Sequence, residues 1–315
     1  MPLLLAAAGA CSHSDSSGKK QSNDSIATVS AASSSSLELP LPVIPDSIST
    51  QNGRVDYILT HFWDPMDWTD TVRNRNTDFI EQNFVNYVTF FNIAQQQSVQ
   101  KSVTALLKKV SSHTPAMKLL METAEKYLYE PDSPMLNEEY FETFLKAASA
   151  TGAQDEYERE RSKFLLAEIA KNRRGTIASD FTFTDPLGLN NTLHGICKKS
   201  QLTLVMFYEP DCETCAGTIA SLSSDSDIAK LIADRKLGIL TIYPGNDNGL
   251  WQEKQRMIPA TWLNGIASGQ EFASRELYSF RAMPTLYLLD SSARVIAKDL
   301  PLSALPALLS QHTVP

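Results

Sequence analysis

The spacing of apolar and polar positions changes once along the chain, near residue 174. From about Arg54 to Arg174 the apolar residues recur at helical spacing. Val55, Ile58, Leu59 and Phe62 stand at i, i+3, i+4 and i+7, the stripe of a helix that buries one face. Phe79, Phe84, Val85, Tyr87, Val88 and Phe90 predict a second helix, opening near the cap residues Asn76 and Thr77. Val103, Leu106, Leu107 and Val110 predict a third, and a fourth opens at Thr114-Pro115. Two more are expected over about 137–150 and 154–172. The aromatic set Phe62, Trp63, Trp68, Phe79, Phe84, Tyr87, Phe90 and Phe91 is expected to be the core of this bundle rather than a binding groove.

After Gly175 the pattern is that of strands alternating with helices. Residues 202–208 form an unbroken, largely apolar run with β-branched and aromatic members, the mark of a strand covered on both faces. Glu209-Pro210-Asp211 ends it, Cys212-Glu213-Thr214-Cys215 follows, and 216–233 reads as one helix. Further strands are expected over 236–243, 284–290 and 294–298, with a closing helix over 303–311.

Ahead of both regions lies a short apolar run, Leu3 to Ala10, that ends at Cys11. It is too short to span a bilayer, which takes about 20 residues, and reads as an export signal. The stretch 12–36 holds eleven serines and almost no large apolar residues. Such a segment cannot bury enough surface to offset its ordering entropy. With the prolines at 40, 42 and 45 it is expected to be a disordered leash over 12–45.

At 315 residues, 43% hydrophobic and 20% charged, the chain has the composition of about two globular domains. A net charge of −8 and scattered lysines and arginines argue against a nucleic-acid partner, which needs a basic face. The four cysteines are Cys11, Cys197, Cys212 and Cys215, and the five histidines show no metal-ligand spacing. No metal site is expected. Cys197 reads as a buried, inert thiol.

By itself C-x-x-C admits a zinc half-site, a redox pair or a structural disulfide. A strand before it and a helix after it favour the redox reading. At a helix N-terminus the unpaired N–H groups and the dipole favour a thiolate, which is the nucleophile of disulfide exchange. Cys212 is therefore expected to attack, and Cys215, one turn on, to resolve the mixed disulfide. Asp211 and Glu213 place negative charge on either side of Cys212 and oppose its ionisation. That weakens the reduced form and tilts the pair toward donating electrons, with Glu213 as pKa modulator or proton-transfer group. No cofactor is expected beyond the redox-active disulfide itself.

Two resemblances extend this reading. Ala8-Gly9-Ala10-Cys11 resembles a bacterial lipoprotein signal, in which the cysteine is lipidated and opens the mature chain. Residues 175–315 resemble the thioredoxin-like proteins, the TlpA/ResA-type thiol–disulfide oxidoreductases above all. The resemblance rests on Asp180-Phe181, the strand into Cys212, Trp262, and the run from Tyr278 through Met283-Pro284 to Asp290. It implies an α/β domain over 174–315, a mixed central sheet flanked by helices, with a cis-proline at Pro284 opposite the cysteines. Met283 and Pro284 would then dock the substrate chain. Asp211 stands where that family carries an aromatic residue, and Met206 where thioredoxins carry a buried acid. The all-α region over 46–173 resembles an uncharacterised helical domain of Bacteroidetes lipoproteins, which implies an accessory role.

The function expected is an exported disulfide reductase on the periplasmic side of the cell envelope, anchored to a membrane through Cys11. Its clients would be disulfide-containing envelope proteins, and a membrane thiol donor would recharge it. The alternative is a non-enzymatic envelope binding protein with a vestigial or structural C-x-x-C.

Overall fold

A side chain that can take up free N–H groups stands at the start of most helices in the first region. In the computed structural model, which describes residues 37–267 and 277–313, Thr50 caps α1 (Gln51–His61). Asn76 accepts from the Phe79 N–H and starts α2 (Thr77–Thr89). Then come α3 (Gln96–Val110) and α4 (Thr114–Leu128). Asn137 caps α5 (Glu138–Thr151), which ends on Gly152 in the left-handed conformation. A reciprocal Asp155/Glu158 capping box starts α6 (Glu156–Ala170). Their apolar faces meet in one core, in which seven of the eight expected aromatic residues are buried and Phe90 packs half-buried against them.

One expectation fails here. Of the residues assigned from sequence to the leash, 37–39 are docked on the bundle, whereas Leu41 and Val43 are exposed. Leu39 is buried, its N–H donates to Asn83 Oδ1 at 2.7 Å, and Asn83 Nδ2 donates to the Leu37 carbonyl at 2.8 Å. A fully buried asparagine needs polar partners, and this extended segment supplies them. Residues 1–36, including Cys11, lie outside the described residues.

The second region begins with a hairpin, β1 (Thr182–Thr184) and β2 (Asn190–Thr192), followed by α7 (Leu193–Cys197). Next come β3 (Leu202–Phe207), α8 (Glu213–Ser224), α9 (Ser226–Ala233) and β4 (Leu237–Tyr243). The chain continues through α10 (Asn248–Lys254), β5 (Leu263–Ile266), β6 (Thr285–Asp290), β7 (Val295–Ala297) and α11 (Leu305–His312). The sheet is mixed, in the order β2-β1-β5-β4-β3-β6-β7. β3, β4 and β5 run parallel, and β6 lies antiparallel to β3. β3 is buried at every position. Its alternation sends Leu204 and Met206 to the face that carries α8, and Val205 and Phe207 to the other. The single helix expected over 216–233 is two, because Asp225 ends α8 and turns its carboxylate to the N–H groups of Asp227 and Ile228 to start α9.

The described residues from Leu37 onward form one compact unit. Asn172, at φ 48, ends the helical region; its side chain donates to the Leu277 carbonyl and accepts from the Ser179 N–H, both at 2.8 Å. Lys298, 4% exposed, reaches back to pair with Glu138 at 3.0 Å and to donate to the Lys171 carbonyl at 2.9 Å. Arg281 lies over the Tyr129 ring, 4.1 Å from its centroid, donates to the Tyr129 carbonyl and pairs with Asp299.

Candidate active site

β3 delivers the chain to the C-terminal edge of the sheet, where Glu209-Pro210-Asp211 turns it into α8. Cys212 is the N-cap of that helix, and its Sγ accepts the Cys215 N–H at 3.1 Å. A sulfur in that position faces the free N–H groups of the first turn, the environment that favours a thiolate. Cys212 is partly exposed, whereas Cys215 is fully buried against Tyr208 and Ile219. Both are free thiols. Desolvation, and then the neighbouring Cys212, hold the Cys215 thiol well above the ordinary thiol range.

The Met283–Pro284 bond is cis, and the Met283 carbonyl accepts from Cys212 Sγ at 3.6 Å. The structure therefore brings Cys212, Cys215, Met283 and Pro284 together from segments some 70 residues apart. Met206 is wholly buried on the same face of the sheet as Cys215, so the position at which the resemblance to thioredoxins implies a buried acid is apolar.

The carboxylates are arranged differently from the expectation. Lys254, at the end of α10, pairs with Asp211 at 3.0 Å, so Asp211 does not act on Cys212 as a bare negative charge. Glu213 is exposed on the first turn of α8. A third acid, Glu209, was missed: burial of its carboxyl raises its pKa, and toward Cys215 its backbone favours ionisation while its charge opposes it. Nothing in the local sequence marks Lys254, which lies 43 positions from Asp211; only the β4–α10 connection brings it there.

Behind Cys215 lies a small polar cluster that sequence reasoning also missed. Asn264 Oδ1 accepts from Tyr208 Oη at 3.2 Å and from Thr241 Oγ1 at 3.1 Å. Burial pushes the Tyr208 hydroxyl up to about 12. Cys197 stands apart from the site, in the core on the opposite face of the sheet, and burial pushes its thiol up to about 11.

Both regions have counterparts in known proteins. Residues 10–172 match the family described as a domain of unknown function, DUF5106. A thioredoxin-like protein from Bacteroides caccae is 30% identical; the match covers 87% of this chain and 98% of that one, with a TM-score of 0.80. The C-terminal domain of an uncharacterized protein from Bacteroides fragilis is 35% identical, over 45% of this chain and 99% of that one, at a TM-score of 0.42. The thioredoxin domain of a thiol-disulfide oxidoreductase from Bacteroides vulgatus is 19% identical, over 44% of this chain and 96% of that one, at a TM-score of 0.39. No curated protein matches the chain. With just over half of its length matched by the family, the chain belongs to the DUF5106 family, joined to an α/β region of thioredoxin-like kind.

Proposed function

We propose that the protein is an exported thiol–disulfide oxidoreductase of thioredoxin fold, of the TlpA/ResA type, that reduces disulfides in envelope proteins. The observation that carries this reading is the position of Cys212 Sγ. It caps α8 at 3.1 Å from the Cys215 N–H and faces the Met283 carbonyl. In the forward reaction the Cys212 thiolate attacks one sulfur of the client disulfide. The client S–S bond breaks, its other sulfur leaves as a thiolate and takes a proton, and Cys212 is joined to the client. Cys215 then loses its proton and attacks Cys212 Sγ, which releases the second client thiol. Two electrons pass to the client and the Cys212–Cys215 disulfide remains, to be reduced by a membrane dithiol protein.

Met283 and Pro284 supply the edge on which the client chain docks, and Glu213, exposed on the first turn of α8, is placed to relay protons between the dithiol and solvent. The reducing direction is supported by the burial of Cys215: a thiol held protonated gains no thiolate stabilisation, so the reduced pair is less favoured than in a low-pKa dithiol. Cys11 carries a lipid that holds the leash and the folded unit at the periplasmic face of a membrane.

Trapping tests the reading. The Cys215→Ser chain should retain disulfide-bearing envelope proteins on Cys212 as adducts cleaved by dithiothreitol, and Cys212→Ser should retain none. Wild type with dithiothreitol should reduce insulin. A chain that captures nothing and leaves insulin intact is not an oxidoreductase. For the anchor, Cys11→Ala should abolish palmitate labelling and move the protein out of the membrane fraction.

A further inference from the structure

A cleft of about 270 Å³ opens beside the dithiol, and its walls come from both regions of the chain. On one side stand Met283 and Pro284, with Thr214, one of the two residues between the cysteines, at its edge. On the other side stand Pro131, Asp132 and Leu136, from the connection between α4 and α5. Arg281 fixes the two walls to each other. It donates to the carbonyl of Tyr129, where that connection starts, stacks on the Tyr129 ring, and pairs with Asp299, also on the cleft. Its side chain is 12% exposed and that of Asp299 13%, so the clasp is largely shielded from water.

We infer that the helical region selects the client: the α4–α5 connection forms one wall of a subsite that seats the polypeptide segment next to the disulfide attacked by Cys212. This rests on the oxidoreductase reading. Continuity with the dithiol names the occupant, because Met283 both lines the cleft and accepts from Cys212 Sγ. A client chain bonded to Cys212 therefore has the cleft directly beside it. The volume lies just under the range of about 300–1,000 Å³ that encloses whole small molecules. It suits a few side chains of a longer segment that enters and leaves. The lining is mixed: proline, leucine and methionine side chains give it apolar surface, with Thr214, Thr218 and Thr285 between them. The charge of Arg281 is matched by Asp299, so the exposed Asp132 carboxylate sets the sign of the rim. The favoured client segment carries apolar residues beside its cysteine and no acid.

The experiment uses the full chain, reduced and freed of reductant. The rate at which the Cys212–Cys215 disulfide forms is read with three probes: hydroxyethyl disulfide, a cystine peptide with leucines flanking the cysteine, and the same peptide with aspartates. Wild type should prefer the leucine peptide to the aspartate peptide by about tenfold, the size of one well-made apolar or charge contact. Pro131→Glu should lower the ratio of the leucine-peptide rate to the hydroxyethyl disulfide rate about fivefold. Asp132→Lys should raise the corresponding aspartate-peptide ratio by about the same factor. Both positions are exposed, so the variants keep the fold, and far-UV ellipticity checks it. If wild type oxidises with hydroxyethyl disulfide but neither variant moves its ratio, the helical wall plays no part in selection and the inference falls alone. If wild type forms no disulfide with any probe, the oxidoreductase reading falls and takes the inference with it.

Discussion

Cys212 occupies the position that threonine, asparagine or aspartate fills at other helix starts of the chain, so in the proposed reaction the sulfur that attacks is the one that caps α8. Its reactivity then depends on the neighbouring charges. Asp211 and Lys254 are 62% and 40% exposed, and such a pair contributes little to stability. Lys254 nevertheless neutralises the carboxylate that adjoins Cys212 in the chain. Lys254→Gln should leave the unfolding midpoint almost unchanged yet slow alkylation of Cys212 by iodoacetamide about twofold, and Asp211→Asn should speed it by a similar factor. Equal rates in all three proteins would show that solvent screens Asp211 completely. Cys215 gives a prediction of opposite character. Its folded pKa is raised, so the stability tied to its protonated form is whole below the unfolded thiol value near 9 and is lost as pH climbs above it. The oxidised protein has no such proton to lose. The melting temperature of the oxidised form should therefore pull away from that of the reduced form above pH 9, and calorimetry of both forms at pH 7 and 10 reads it. A constant gap would mean that Cys215 is solvated.

Among the elements, the long periodic ones were legible in the sequence. Six helices and the strands around residues 202–208, 236–243 and 284–290 declare themselves by spacing, and Cys212 and Met283-Pro284 could be placed at their ends. What escaped was short and polar. β2 is Asn190-Asn191-Thr192 and β5 is Leu263-Asn264-Gly265-Ile266, and neither shows a pattern until a partner strand supplies the ladder. Buried charge is illegible for the same reason. Lys298 reads as a surface lysine, yet it is buried and donates to carbonyls at the end of α6, the capping that a cation performs at a helix C-terminus. Burial raises the pKa of its partner Glu138 even with the lysine present. Lys298→Met should cost about 3 kcal/mol, because it strands a buried carboxylate. The loss should be smaller at pH 5 than at pH 8, since the unpaired Glu138 can take up a proton, and urea unfolding at the two values measures both. A cost that does not depend on pH would show that the helix carbonyls, and not Glu138, are what Lys298 serves.

At the scale of the molecule, the helical region and the sheet meet through Asn172, Lys298 and Arg281, each buried or nearly so and each bonded to backbone carbonyls across the boundary. Breaking the boundary would leave those groups to find water separately, so the two regions should open together rather than one after the other. Tryptophans report on each side. Trp63 and Trp68 lie in the helical core, and Trp251 and Trp262 in the core beneath α8. A Trp63→Phe/Trp68→Phe chain reports only on the sheet region, and a Trp251→Phe/Trp262→Phe chain only on the helices. In urea their fluorescence midpoints should agree within about 0.2 M, as a two-state unit requires. Adding Arg281→Met and Asn172→Ala to both reporters removes two of the three clasps, and the midpoints should then separate. Reporters that already disagree with the clasps intact would show two independent domains. The α4–α5 connection would then have no fixed place beside Met283, and a rigid client subsite shared by the two regions could not form.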